Sequence, residues 1–178
     1  MTNQLPQHLN WIKKTFSRTI QFTNDSNDVI GDIRFEPFSS IISAQLNNIK
    51  LKFNIQGFVN KEVTILNDAD EELGRINFSL RSKAKIVLTN GEIYLWKRED
   101  FFQKEWVMIH DLPDTDNDPV SVSYNRTRSF LTEKGAITIE EKSNTQEELL
   151  VLVGFFLGFY FLRRRRRAAV IGIAAGGS

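Results

Sequence analysis

Residues 149–162 of the chain read LLVLVGFFLGFYFL, a run without a charged side chain. A helix rises about 1.5 Å per residue and a bilayer core is about 30 Å thick, so a membrane span requires roughly 20 apolar residues. Apolar side chains would lie on every side of a helix built from this run, and such a helix must be enclosed. The run therefore predicts a buried central helix over residues 146–162, enclosed by the preceding part of the chain.

A tail-anchored membrane protein with a small β domain is the alternative, with residues 149–162 and the following tail in the membrane. The tail, residues 163–178, is first basic and then apolar. An arginine at the bilayer centre costs about 2.5–3.5 kcal/mol on the most lenient scale, and carrying five across opposes the positive-inside tendency. The pair Gly154 and Gly158 fits both interpretations, because small residues let any neighbour approach a helix closely.

The formal charge of +1 is divided unevenly along the chain. Residues 1–148 contain 18 basic and all 22 acidic residues, a net charge of −4, whereas residues 149–178 carry +5. An acidic body argues against nucleic acid as a partner. The five positive charges come from consecutive residues, Arg163, Arg164, Arg165, Arg166 and Arg167. They are candidate lipid-binding residues, because polybasic segments beside hydrophobic helices attract anionic phospholipid; a hydrated helix end is the alternative.

The body from residue 15 to residue 142 consists of short runs rich in Ile, Val, Phe and Thr. Turn residues separate these runs about every 8–12 positions, a spacing typical of β sandwiches and barrels. Asn90-Gly91 predicts a hairpin with a type I′ turn, in which both residues have positive φ. Further turns are expected at residues 67–70 and 133–135.

Residues 1–14 are expected to form a separate N-terminal segment, with the folded domain over residues 15–162. A short helix is predicted near Pro6–Phe16, because three apolar residues would share one helical face there (Leu9, Ile12 and Phe16). Nothing in this segment resembles a signal peptide. We therefore expect a cytoplasmic protein, peripheral to a membrane.

An internal repeat with an offset of 43 residues supports the β interpretation. Asn24-Asp25, Gly31, Ile33, Phe35 and Ser39 recur as Asn67-Asp68, Gly74, Ile76, Phe78 and Ser82. Residues two apart in a strand lie on the same face, so the Ile and Phe of each copy are expected to point inward. The repeat predicts a duplicated β unit in which a turn precedes a glycine-containing strand.

ILNDADEELGRINFSLRSKAKIVLTNGEIYLW (65–96), its echo at 22–53 and the apolar run at 149–162 resemble the tubby C-terminal-like superfamily, which includes phospholipid scramblases and plant LURP-one-related proteins. The resemblance implies a closed antiparallel barrel of about twelve strands around one hydrophobic C-terminal helix, in a non-enzymatic binding or scaffold protein. No phosphoinositide-binding motif of the family can be placed here. The arginine run and the tail AAVIGIAAGGS also depart from the family pattern.

A second basic candidate lies inside the body. Arg81, Lys83 and Lys85 alternate with Ser82 and Ala84, which places three positive charges on one face of a strand. These residues are candidates for binding an anion or a lipid headgroup. The alternative is an ordinary hydrated outer face of the barrel.

The sequence contains no motif typical of an enzyme. The absence of Cys excludes thiolate catalysis and Cys-ligated metals. The isolated histidines, His8 and His110, are more typical of structural or exposed positions than of catalysts. We therefore predict neither catalytic residues nor a cofactor.

The segment HDLPDTDNDP (110–119) contains four aspartates (Asp111, Asp114, Asp116 and Asp118), and the D-x-D-x-D spacing of the last three resembles the start of a calcium loop. Pro119 occupies the position that requires glycine, and Asn125 stands where the bidentate glutamate is needed. The segment therefore predicts an exposed loop between strands, without a metal.

Overall fold

The structure is a computed structural model that describes residues 5–36, 39–57, 62–79, 82–100, 102, 104–113, 115, 117–140 and 146–175, with side chains up to Arg165. Within these residues the chain forms thirteen strands and one helix. They are β1 (His8–Lys14), β2 (Thr19–Thr23), β3 (Val29–Arg34), β4 (Ile41–Leu46), β5 (Ile49–Gln56), β6 (Glu62–Asn67), β7 (Glu72–Ser79), β8 (Lys83–Leu88), β9 (Ile93–Arg98), β10 (Glu105–His110), β11 (Val120–Asn125), β12 (Thr127–Arg128), β13 (Thr132–Ile139) and α1 (Glu147–Ala175).

Twelve of the described strands close into an antiparallel barrel. Consecutive strands pair from β1 to β11, β11 pairs with β13, and β13 pairs with β1. This last ladder runs from His8↔Thr138 to Lys14↔Thr132. The two-residue strand β12 pairs with β13 beside the circle. The predicted closed barrel of about twelve strands around a C-terminal helix is confirmed.

The N-terminal helix predicted near Pro6–Phe16 is wrong, because this stretch contains β1. Leu9 and Trp11 are buried, whereas Ile12 is 37% exposed and Phe16 is 94% exposed. Burial therefore alternates as in a strand. Without a strand between β13 and β2 the barrel would have two unpaired edges, so strand pairing overrides the local apolar pattern. The barrel consequently begins before residue 15.

The hairpin predicted at Asn90-Gly91 is present with a different turn. Gly91 has a positive φ of 93°, and Asn90 does not have a positive φ. The amide of Leu88 donates to the carbonyl of Glu92 at 2.9 Å, and the amide of Gly91 donates to the carbonyl of Leu88 at 3.0 Å. This is a three-residue loop that ends in a left-handed residue instead of a type I′ turn. Asn27 and Asp70, each with a φ of 64°, end the two repeat hairpins in the same way.

The turn predicted at residues 133–135 is wrong, because these residues lie in β13. Gly135 pairs with Trp11, whose indole Nε1 donates a hydrogen bond to the carbonyl of Asn125 at 3.1 Å. A Cβ on residue 135 would lie 2.8 Å from that nitrogen. Glycine is required here because a side chain and a neighbouring strand approach the backbone closely.

Helix α1 passes through the barrel, as the apolar run predicted. Every residue from Leu149 to Phe159 is buried. The helix begins at Glu147 and continues beyond the predicted end at residue 162 to Ala175. Much of the tail is therefore part of the same helix.

The 43-residue repeat occurs three times in the structure, although the sequence revealed two copies. Bulges follow Phe22 in β2, Ile65 in β6 and Met108 in β10, which are 43 residues apart. The barrel thus consists of three four-stranded units, β2–β5, β6–β9 and β10–β11–β13–β1. The third copy is obscured in the sequence, because a longer loop replaces its Asn-Asp turn and its fourth strand, β1, comes first in the chain.

Each unit contributes one aromatic side chain from its last strand to the helix. Trp11, Phe53 and Trp96 pair with the three residues that precede the bulges. The Phe53 ring stacks on Phe156 at 4.3 Å between centroids, and Trp96 stacks on Phe161 at 4.9 Å. Trp11 contacts Phe155 edge-on at 5.1 Å. Aromatic pairs therefore hold the helix from three sides.

The two helix glycines accommodate further aromatic rings of the barrel. A Cβ at Gly154 would lie 2.7 Å from Cζ of Tyr124, and a Cβ at Gly158 would lie 2.5–2.9 Å from three atoms of the Trp106 indole. Tyr124 and Trp106 stack on each other with centroids 5.6 Å apart. The G-x-x-x-G pair thus contacts the barrel interior.

We predict that Gly158→Ala destabilises the protein, although alanine is the better helix former by about 1 kcal/mol. Overpacking a core typically costs about 1–3 kcal/mol, and the fully buried Trp106 ring has little room to shift. Urea unfolding should show a net loss of up to about 2 kcal/mol, the difference between these two effects. In a Trp106→Leu background, which removes the contacted ring atoms, the same change should cost less. Equal losses in both backgrounds would contradict this packing account.

Deletion of residues 149–178 should abolish cooperative thermal unfolding, because it removes the helix that fills the barrel interior. Deletion of residues 163–178 is the matched control, since it retains the buried segment from Leu149 to Leu162. Circular dichroism melts of both proteins test this expectation. If the protein without residues 149–178 stays soluble and melts like the full chain, the helix is not the core.

Candidate functional site

The helix gives the barrel two chemically different ends. At one end the side-chain amide of Asn47 donates to the carboxylate of Glu148 at 3.5 Å, in the first turn of α1. At the other end the guanidinium of Arg163 lies 4.9 Å from the ring centroid of Phe35, a cation–π contact. We call these the entry end and the exit end. Acidic residues at the helix N-terminus complement its dipole.

The alternating strand directions assign the loops to the two ends. Phe35 directly follows β3 at the exit end, so the loops after β1, β5, β7, β9 and β11 lie at the same end. The entry end holds the loops after β2, β4, β6, β8 and β10, the end of β13 and the start of α1. The exit end is therefore where the arginine run leaves the barrel, beside Phe35 at the end of β3.

The arginine run predicted from the sequence leaves the barrel at the exit end. Arg164 and Arg165 are exposed, and Arg163 is half-buried against Phe35. Arg166 and Arg167 continue the helix, and their side chains lie outside the described residues. The run begins one residue after the buried segment ends at Leu162. At the barrel mouth the helix thus changes from a buried, uncharged segment to a more exposed, basic one.

The basic stripe predicted on β8 faces outward, as expected from its alternation. Lys83 and Lys85 are exposed, whereas Ala84 and Ile86 between and beside them are buried. Lys83 begins β8 at the exit end. Lys85 lies farther along the outer surface, 4.0 Å from the carboxylate of Asp111. Arg81 lies outside the described residues. The structure therefore brings one described member of the stripe, Lys83, to the end where the arginine run emerges.

Further cations that the sequence analysis did not select lie at the exit end. They are exposed, and each is in or beside an exit-end loop (Lys14, Arg18, Lys104 and Arg128). They are scattered along the sequence, so composition gives no signal for them. The strand order shows which of these loops are neighbours.

The segment at 110–119 contains the loop between β10 and β11, as predicted. The carboxylate of Asp118 accepts a hydrogen bond from the amide of Leu112 at 3.1 Å, within the loop. Asp114 and Asp116 lie outside the described residues. No group of three or more potential metal ligands is found among the side chains that the structure describes.

The histidines lie in separate environments. His8 Nδ1 is 3.4 Å from the Thr138 hydroxyl, and the His110 ring stacks on Tyr94 at 4.6 Å between centroids.

The buried Tyr124 hydroxyl donates to the carbonyls of Leu150 and Val151 at 2.9 and 3.2 Å. Burial raises the pKa of Tyr124 well above its usual value. The phenol therefore remains protonated and joins barrel to helix as a structural donor.

A concavity of about 400 Å³ lies on the outer surface over β3, β4 and β5. Its charges pair with one another: Arg34 with Asp32 at 3.2 Å, Lys50 with Asp68 at 3.6 Å and Lys52 with Asp70 at 2.6 Å. This internal pairing leaves little net charge to attract an ionic ligand. The exit end is therefore the stronger candidate site.

Within the described residues, no helix has a stretch long and apolar enough to cross a membrane.

Comparison with known proteins finds no family model, no curated protein and no solved structure that matches the chain. The geometry of the exit end is consequently the basis for a functional proposal.

Proposed function

We propose that the chain is a non-enzymatic binding or scaffold protein of tubby-like architecture that associates peripherally with anionic phospholipid on the cytoplasmic side of a membrane. The observation that carries the proposal is the position of the +5 arginine run, where the helix leaves a −4 barrel. Near a membrane surface each such cation contributes about 1 kcal/mol of attraction to anionic lipid. Lys83 adds a positive charge at the same end.

The charge distribution also favours one orientation on a membrane. The exit end carries the arginine run, whereas Glu147 and Glu148 lie in the first turn of the helix at the entry end. A negatively charged surface attracts the arginines and repels the glutamates within about a Debye length, roughly 8–10 Å at physiological salt. The barrel should therefore approach with its exit end first.

Replacement of all five arginines by glutamine tests the proposal. Full-length protein should sediment with vesicles of phosphatidylcholine and phosphatidylserine but not with phosphatidylcholine alone, and binding should weaken with salt. The glutamine variant should lose at least about a hundredfold in vesicle partitioning. Lys50→Gln with Lys52→Gln is the control, because these cations lie near the entry end and pair with aspartates. Equal binding to neutral and anionic vesicles would contradict the proposal.

Carbonate extraction of cell membranes separates peripheral association from the tail-anchored alternative. The helix segment 149–162 is buried by the barrel in this structure, so alkaline carbonate should release the protein. A protein that resists extraction would favour the tail anchor instead, since its apolar segment would have to leave the barrel for the bilayer.

A further inference from the structure

Exposed aromatic side chains occupy turn tips at the exit end. Among the described residues, the phenylalanines that are largely exposed are Phe16, Phe102 and Phe130, at 94%, 71% and 93%. Leu131, beside Phe130, is 62% exposed. We call these four residues the apolar rim. Single exposed apolar residues are common, but a group of them on neighbouring loops is typical of an interaction surface.

Hydrogen bonds join the three loops of the apolar rim into one arc. The amide and hydroxyl of Thr15 donate to the carbonyls of Leu131 and Phe130, at 3.0 and 3.2 Å. The amide of Arg126 donates to the carbonyl of Lys104 at 2.7 Å. The first contacts link the β1–β2 turn to the β12–β13 turn, and the last links the β9–β10 loop to the same hairpin.

Each tip is also held by bonds within its own turn. The amide and hydroxyl of Ser129 donate to the carbonyl of Thr132 at 2.8 and 3.1 Å, with Phe130-Leu131 between them. The amide of Ser17 donates to the carbonyl of Lys14 at 2.9 Å, around Phe16. The Asp100 carboxylate accepts bonds from three amides of its loop (Phe102, Lys104 and Glu105). These bonds hold the backbone of each tip in place, so less backbone ordering is left for binding to impose.

Turn formation does not account for the phenylalanines, since polar residues, Gly and Pro usually occupy such positions. Rings on three separate protruding tips would each need a matching pocket on a rigid protein partner. A bilayer interface is deformable and accepts an apolar side chain at any lateral position. The distribution of the rings therefore favours a lipid surface over a protein groove.

The charges around the apolar rim complement an anionic bilayer. Lys14, Arg18, Lys104 and Arg128 flank it, and the arginine run leaves the same end of the barrel. Three acidic residues of the arc are engaged: Glu99 with Lys97 at 3.2 Å, Glu133 with Arg126 at 3.9 Å, and Asp100 with the amides of its own loop. Glu36 and Glu105 are exposed at this end. Cations beside apolar side chains are the combination that interfacial membrane binding uses.

We infer that the apolar rim inserts into the headgroup region of an anionic bilayer, so that the barrel stands on the membrane at its exit end. The inference rests on the proposed association with anionic phospholipid. It adds a membrane-contacting surface on the barrel itself, separate from the arginine run. The phenylalanine tips supply apolar burial, and the surrounding cations supply attraction.

The test compares full-length proteins on vesicles of phosphatidylcholine and phosphatidylserine. The triple variant Phe16→Ser, Phe102→Ser and Phe130→Ser should partition at least about tenfold more weakly, because each ring then loses its burial in lipid. The salt dependence should stay the same, because no charge has changed. Val29→Ser is the control, since Val29 is also exposed (58%) but lies at the entry end. The melting temperatures of both variants report that the fold is retained.

A second readout measures insertion directly. In Phe130→Trp the new indole should be quenched by brominated phospholipid when the protein binds anionic vesicles. Val29→Trp is the matched control at the entry end, and its added emission should not be quenched. The buried Trp11, Trp96 and Trp106 supply the same background in both proteins.

The outcomes distinguish this inference from the proposed function. If full-length protein binds anionic vesicles, loses binding on removal of the arginines, and keeps it in the triple variant, the rim inference is overturned and the proposed function stands. If full-length protein does not bind anionic vesicles, the proposed function itself is wrong. Quenching of Val29→Trp without quenching of Phe130→Trp would also overturn the inference, because the opposite end would then face the membrane.

Discussion

The requirement to fill a twelve-stranded barrel governs this structure. A closed sheet of this size has an interior that must be occupied by more than the side chains of its strands. Residues 149–162 meet that requirement, because they are apolar on every side and too short to span a bilayer. Shell and helix depend on each other: the strands give the helix an apolar enclosure, and the helix gives the strands their core. The strands contact the helix through one aromatic side chain from each four-stranded unit: Trp11, Phe53 and Trp96.

The helix also gives the barrel two chemically different ends, since a nearly threefold shell surrounds an element with no such symmetry. Its acidic first turn and its arginine run mark opposite ends of the barrel. The loops of the two ends therefore differ in surroundings even where the repeat makes their geometry similar. The turns ending at Asn27, Asp70 and Gly91 all lie at the entry end, and apart from Ala69 they are built from polar residues and glycine. At the exit end the loops differ from one another, and the exposed phenylalanines occur there.

The sequence predicted those features that depend on composition and short-range pattern. A uniformly apolar run indicated the central helix, regular turn spacing indicated many strands, and a resemblance indicated the closed barrel and its strand number. The helix predicted near Pro6–Phe16 is wrong because β1 is held along its whole length by β13, which is distant in sequence. The turn predicted at Gly135 failed for a similar reason. The groups that require a glycine there belong to Asn125 and Trp11, which are not near residue 135 along the chain. The apolar rim could not be assembled from the sequence, because strand order decides which loops are adjacent.

The closure of β1 on β13 has a consequence for how the protein is made. Trp11 bonds to a residue 114 positions away, and every strand precedes the helix that supports it. On the ribosome, the inward faces of the strands are therefore synthesised before their core exists. Contacts between distant parts of a chain form slowly, and unpaired apolar strands aggregate while they wait. Until the helix has been synthesised, the inward faces of the incomplete sheet are thus the part of the barrel most exposed to aggregation.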